Sequence, residues 1–208
     1  MSKTLHILSQ TISGLLYPLF MPTYGMVLYM MAMKHRLSHL PNLYINMSIG
    51  GTVFLSAIVP ILLIILLWKT GSISSLTITD AKQRTTPYIY TLICFGFWCV
   101  FIHIIRLPKV WLVIAIGATC ALLCVTIINY WWKISAHLTA MGGLLGGICS
   151  IALFYNTLPT ALIITILVLS LLLMYARLYL NAHTPLQVVC GYLLGILSTF
   201  IPNLIIYA

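Results

Sequence analysis

The sequence predicts an all-α fold, a polytopic transmembrane helical bundle of six to seven spans, and three observations carry that expectation. The chain is 62% hydrophobic and only 5% charged, where a soluble domain carries about 25% charged residues. Its mean hydropathy of +1.12 is spread along the whole length. Its polar residues gather in short interruptions between apolar runs, most of them near the ~20 residues a helix needs to cross the hydrocarbon. The alternating segments of about ten residues that mark barrel strands are absent. Helices then remain, because lipid offers no partner to open backbone groups.

Apolar runs are read at 7–33, 44–68, 87–105, 110–130, 138–154, 158–175 and 185–207. The fifth and sixth are short, and a six-span arrangement survives if 87–130 holds one crossing and a re-entrant or broken piece. The first run is too long for a cleaved secretory signal, so the N terminus is expected to stay. Pro18, Pro22 and Pro60 are expected to kink their spans. Gly142, Gly143, Gly146 and Gly147 form two overlapping small-xxx-small pairs on the fifth span, which implies close helix packing. Tyr130, Trp131 and Trp132 read as an interfacial aromatic belt. The longest polar-leaning stretch is 69–86, so one integral-membrane domain, 1–208, is expected, with a motif-bearing core at about 80–207. All six cysteines fall inside apolar runs and read as small hydrophobes, without disulfides or thiolate metal sites.

Asp80 is the single acidic side chain against ten Lys and Arg. Two-metal phosphatases and hard-cation sites want several carboxylate oxygens, so metal-independent chemistry on an anion is expected, with no metal and no cofactor. Haem ligation by His103 with His137 lacks an attachment motif. The cations follow no basic stripe or recognition motif, which argues against nucleic acid and for anionic membrane lipid as the partner. No protein partner is legible.

Three polar interruptions stand out, and span parity places all of them at one face of a bilayer. The third, between the sixth and seventh runs, holds Arg177 and His183, and Pro185 starts the last helix. Gln187 then falls one turn into that helix, where its amide can face the His183 ring, hold one ring nitrogen protonated and leave the other as a nucleophile. Alternatively Arg177 snorkels and His183 caps a loop. In the second, Ser135 is a natural N-cap and His137 follows it, at a helix start whose free N–H groups can cradle phosphate. There His137 can give a proton to a leaving oxygen, or be a plain loop histidine. The first holds Asp80, Lys82 and Arg84 before Pro87, where both cations can reach an anion or merely orient the span. His35 and His39 read as loop residues of the opposite face. With suspected substrate-binding cations set aside, Lys3, Lys69 and Lys133 lie on the motif face against Lys34, Arg36, Arg106 and Lys109 opposite. The positive-inside rule then puts the motif face outside the cytoplasm.

Together these segments resemble the three signatures of the type 2 phosphatidic acid phosphatase superfamily, K-x6-R-P, P-S-G-H and S-R-x5-H-x3-D. The third matches in spacing through Arg177, His183 and Gln187, the second at Ser135 and His137, and the first approximately through Lys82, Arg84 and Pro87. The resemblance implies that His183 attacks phosphorus to form a phosphohistidine, while His137 protonates the departing alcohol and later activates water. Lys82, Arg84 and Arg177 would hold the phosphoryl oxygens, assisted by Ser135. Gln187 stands where the family has aspartate, Ala136 where it has glycine, Ile134 where it has proline and Ala176 where it has serine. Asp80 is the one residue able to supply the missing negative charge.

The expected function is therefore dephosphorylation of a membrane lipid phosphate or pyrophosphate in a bacterial inner membrane, with the site facing the periplasm. A catalytically weak or inactive relative that binds anionic lipid or serves as a subunit is the main alternative, and an anion transporter the second. The sequence does not choose among lipids, because tail recognition by apolar helices has no readable code.

Overall fold

The protein is described by a computed structural model covering residues 3–32, 38, 40–76, 78, 82–157 and 159–207. Asp80 lies outside the described residues, as do His35 and His39. The helices are α1 (Lys3–Leu15), α2 (Met21–Ala32), α3 (Asn42–Val53), α4 (Val59–Lys69), α5 (Thr85–Ile104), α6 (Lys109–Ile128), α7 (Ala136–Tyr155), α8 (Thr160–Tyr179) and α9 (Pro185–Tyr207). They form an all-α bundle in which, among the described residues, seven helical segments are long and apolar enough to cross a membrane. The fifth and sixth segments, short in the sequence, are 20 residues each in the structure.

Two of the seven are interrupted where proline withdraws a backbone donor. The first segment breaks at Tyr17 and resumes through the single turn Pro18–Phe20 into α2. The Tyr24 hydroxyl donates across that break to the Leu15 carbonyl at 2.8 Å. In the second segment, α3 passes into α4 through a wide turn at Phe54–Ile58, in which the Val59 N–H bonds Phe54 just before Pro60. Pro202 sits within α9 and cannot bond the Ser198 carbonyl one turn back. That carbonyl lies hard against Gly117 of α6, where any Cβ would collide with it.

The tightest pairing is α7 with α9, and glycine makes it possible. Gly191 rests on the Ser135 carbonyl and Gly195 on that of Thr139, while Gly142 meets the Tyr192 carbonyl and Gly146 that of Ile196. Numbers rise together on both helices, so they run parallel. Of the four glycines expected to pack, Gly142, Gly143 and Gly146 meet α9, Gly143 opposite Gly195; Gly147 instead faces Ile114 of α6. Hydrogen bonds from Ser150 to the Thr199 carbonyl at 3.1 Å and from Thr199 to the Gly143 carbonyl at 3.1 Å cross the same seam. At its start, the Ser135 N–H donates to the Gln187 carbonyl at 3.3 Å. The parallel pairing brings the N-termini of α7 and α9, and the histidines beside them, to one end of the bundle.

α2 follows α7 in the same direction. The Tyr17 ring meets His137 edge-on, 5.5 Å away, and the Tyr29 hydroxyl meets that of Tyr155 at 2.7 Å at the far end. Between them, Met26, Trp98, Trp111, Leu138 and Met141 fill the core. A smaller cluster of Leu19, Ile64, Ile73 and Ile78 anchors the loop after α4, which the sequence shows as polar-leaning.

Candidate active site

A cavity of about 790 Å³ opens where α1, α5, α7, α8 and the loop before α9 meet, and Arg84, Lys133, His137, Arg177 and His183 all line it. The three polar interruptions thus converge. The chain has one acidic side chain, so at most one of these three cations is balanced by a carboxylate, wherever Asp80 lies.

His183 precedes a reciprocal cap that starts α9. The Thr184 N–H donates to Gln187 Oε1 at 3.1 Å and the Gln187 N–H to Thr184 Oγ1 at 3.4 Å, the Thr-x-x-Gln arrangement that satisfies two orphan donors at once. The same Oε1 lies 3.2 Å from His183 Nδ1, and the Lys133 carbonyl lies 3.1 Å from it. Both neighbours are acceptors, because the Thr184 N–H fixes which amide atom is oxygen. Nδ1 therefore carries the hydrogen, and the lone pair of neutral imidazole sits on Nε2. Burial, then the Arg177 and Arg84 guanidinium groups, pull the His183 pKa from 6.5 down to about 4; its two hydrogen bonds pull the other way and lose. The ring is neutral at physiological pH.

His137 is the second residue of α7. Its Nε2 lies 3.2 Å from the Ser13 carbonyl of α1, which can only accept, so this nitrogen is the donor. Ser135 is fully buried, and its hydroxyl accepts from the Leu138 N–H at 3.5 Å. It caps α7 beneath the cavity wall and does not line the cavity, which departs from the phosphate-binding expectation.

Arg84 is buried at the end of the turn Lys82–Arg84. Its Nε donates to the Ile78 carbonyl at 2.9 Å, and its guanidinium interacts electrostatically with Tyr88. Ile78 holds φ at +36°, a costly conformation for a β-branched residue that turns its carbonyl toward Arg84 while its side chain stays buried. Arg177, near the end of α8, has a buried Nε–H with no partner. Lys82 is exposed and absent from the cavity wall, and Lys133, assigned to topology by the sequence, lines it instead. A turn of the tight helix before α5 separates Lys82 from Arg84 by only two residues, which sends the two side chains to different sides.

Ser13, Tyr17 and Tyr88 also line the cavity, and sequence reasoning passed over them. A signal was present: Gln10, Ser13 and Tyr17, inside the first apolar run, continue the helical spacing that starts at His6 just before it. Among the described residues there is no group of three or more His, Cys, Asp or Glu placed to hold a metal ion.

Comparison with protein-family models, curated proteins and solved structures returns no match for this chain.

Proposed function

We propose that this integral membrane protein hydrolyses a lipid phosphate through a phosphohistidine, without metal. The observation that carries this reading is the neutral His183, its Nε2 lone pair unprotonated, beside the buried guanidinium groups of Arg84 and Arg177 in a chain with a single acid. Such a pocket favours an anion, and phosphoryl transfer depends mainly on positioning and charge stabilisation. The resemblance to the type 2 phosphatidic acid phosphatase signatures supports the same assignment of roles.

In the first step a bond forms between His183 Nε2 and phosphorus as the bond from phosphorus to the alcohol oxygen breaks. A proton that the phosphate ester brings in as its monoanion passes through His137 to that oxygen. In the second step His137 takes a proton from water, the hydroxyl bonds to phosphorus, and the bond to Nε2 breaks to release inorganic phosphate. Arg84, Arg177 and Lys133 hold the phosphoryl oxygens throughout.

The cavity also supports a lipid rather than a soluble substrate. Beneath the cations it is lined by Phe95, Trp98, Trp111, Ile114, Ile148 and Ile151. From His137 to Ile151 is 14 residues of α7, or about 21 Å at 1.5 Å per residue, enough depth for an apolar chain. On orientation, Lys133 joins the site and Lys82 leaves it, so the loop cations still stand four to three in favour of a motif face outside the cytoplasm.

Gln187 favours a second reading, a weak or inactive relative, because an amide cannot offset charge developing on the His183 ring. Release of phosphate from a panel of lipid phosphates in the presence of chelator, abolished in His183→Ala, tests the enzyme. Trapping of labelled phosphate on His183 establishes the intermediate. A panel without turnover, together with no covalent phosphate on the protein, overturns the phosphatase reading.

A further inference from the structure

One wall of the cavity is untouched by the chemistry above. His6, Gln10 and Ser13 succeed one another along one face of α1 at steps of four and three residues, Tyr17 follows four residues on at the break after the helix, and all four line the cavity. Leu5, Leu8 and Leu15 are exposed and form the apolar flank of the same helix. α1 is thus a two-sided partition, polar toward the cavity and greasy outside.

Ser13 shows what the polar side lacks. Many helical hydroxyls in this protein bond back to the carbonyl four residues earlier, as Thr91, Thr126, Ser170 and Ser198 do at 2.7 to 2.8 Å. Ser13 forgoes that bond: only 7% of it is exposed, and its hydroxyl has no partner. Thr23 is also unpartnered but does not line the cavity. A buried hydroxyl left open in a cavity wall calls for a hydrogen-bonding group on the ligand.

The position of the stripe indicates which group. The Ser13 carbonyl holds His137 Nε2, the imidazole that serves the departing oxygen, so the Ser13 part of the stripe borders the leaving alcohol. The cations come from other walls. Next to His137, the stripe offers the Ser13 hydroxyl and the Tyr17 ring and no cation, which suits a neutral hydroxyl better than a second phosphate.

We propose that the α1 stripe is a subsite for a leaving alcohol that bears a free hydroxyl of its own, as a glycerol with an unacylated position does. It discriminates such phosphomonoesters from those of plain alkyl, prenyl or fully acylated alcohols. The inference rests on the phosphatase reading.

The test compares hexadecylglycerol phosphate with hexadecyl phosphate in detergent micelles, a pair with the same chain that differs by the hydroxyl-bearing glycerol unit. The native protein is expected to favour the glycerol ester about tenfold in kcat/KM, since a site built to bond a hydroxyl rejects the analogue lacking it. Ser13→Ala and, at the exposed mouth, Gln10→Leu each lower that ratio several-fold, whereas Leu8→Ala on the apolar flank leaves it as it was. Equal kcat/KM for the two esters, or a ratio unmoved in both Ser13→Ala and Gln10→Leu, overturns the subsite and leaves the phosphatase reading intact. Release of phosphate from neither ester overturns both.

Discussion

Replacing Gln187 with glutamate tests the electrostatics of the nucleophile directly. Gln187 Oε1 sits 3.2 Å from His183 Nδ1, and a glutamate side chain of the same length would keep that oxygen in place while adding a unit charge. Glutamate also serves in the reciprocal cap with Thr184 and is favourable at a helix N-terminus, so α9 keeps its start. Aspartate, shorter by one bond of about 1.5 Å, would lose both contacts. At 3.2 Å the attraction to an imidazolium is about 1 kcal/mol in water and about 5 kcal/mol at an effective dielectric constant of about 20. At 1.36 kcal/mol per pKa unit, that raises His183 from about 4 by between about 1 and about 4 units. The same field stabilises the positive charge that develops on the ring as phosphorus is attacked, so turnover rises at least about tenfold. The assay is the pH titration of ring-labelled histidine by NMR in detergent, beside the pH profile of kcat/KM, whose acid limb moves upward with the titration. A His183 pKa that stays near about 4 in Gln187→Glu would refute the tautomer and the contact on which the mechanism depends.

Other expectations follow from the same geometry. The native protein should retain its nucleophile well below the ordinary histidine pKa of about 6.5, so kcat/KM keeps an acid limb set by His183 near about 4. Because the folded pKa lies below the unfolded one, the stability from burying neutral His183 is complete above about pH 6.5 and lost as pH falls toward about 4. The loss reaches about 3 kcal/mol, and thermal melts of the native protein and His183→Asn, with its shallower slope, measure it. Arg177→Met, which removes the guanidinium with the unpartnered Nε–H, should weaken inhibition by vanadate at least about tenfold, with unchanged melting as the control. Gly195→Ala drives a methyl into the Thr139 carbonyl and should cost about 1–3 kcal/mol with loss of activity. Gly96→Ala, with nothing within 4 Å, should melt at or above the native temperature.

The bundle was legible because its apolar runs are long and its polar interruptions few, and the seven crossings follow from that contrast. The site was partly legible, since Arg177, His183 and Gln187 are close in sequence and their spacing survives folding through one capped turn. Ser135 and Lys82 were misplaced for a common reason. Spacing indicates which residues are near one another but not which way a short turn aims them, and here one became a buried cap and the other left the cavity. The contribution of the first segment was hidden by averaging: hydropathy over 7–33 reports a span, while the stripe of Gln10, Ser13 and Tyr17, with His6 just ahead of it, appears only when helical period is read. Gly191 and Gly195 have the same spacing as the α7 glycines, yet their meaning depends on a partner about fifty residues away, information that is not local.

The side-by-side course of α7 and α9 has a consequence for biogenesis. α8 must traverse the bilayer between them, so α7 enters the membrane with its glycine groove facing lipid and its partner not yet made. Until α9 threads in from the same side, His137 has no His183 across the cavity and the two arginines have only half a pocket. The cationic pocket is therefore incomplete through most of the chain's own insertion, and is assembled in one late docking event.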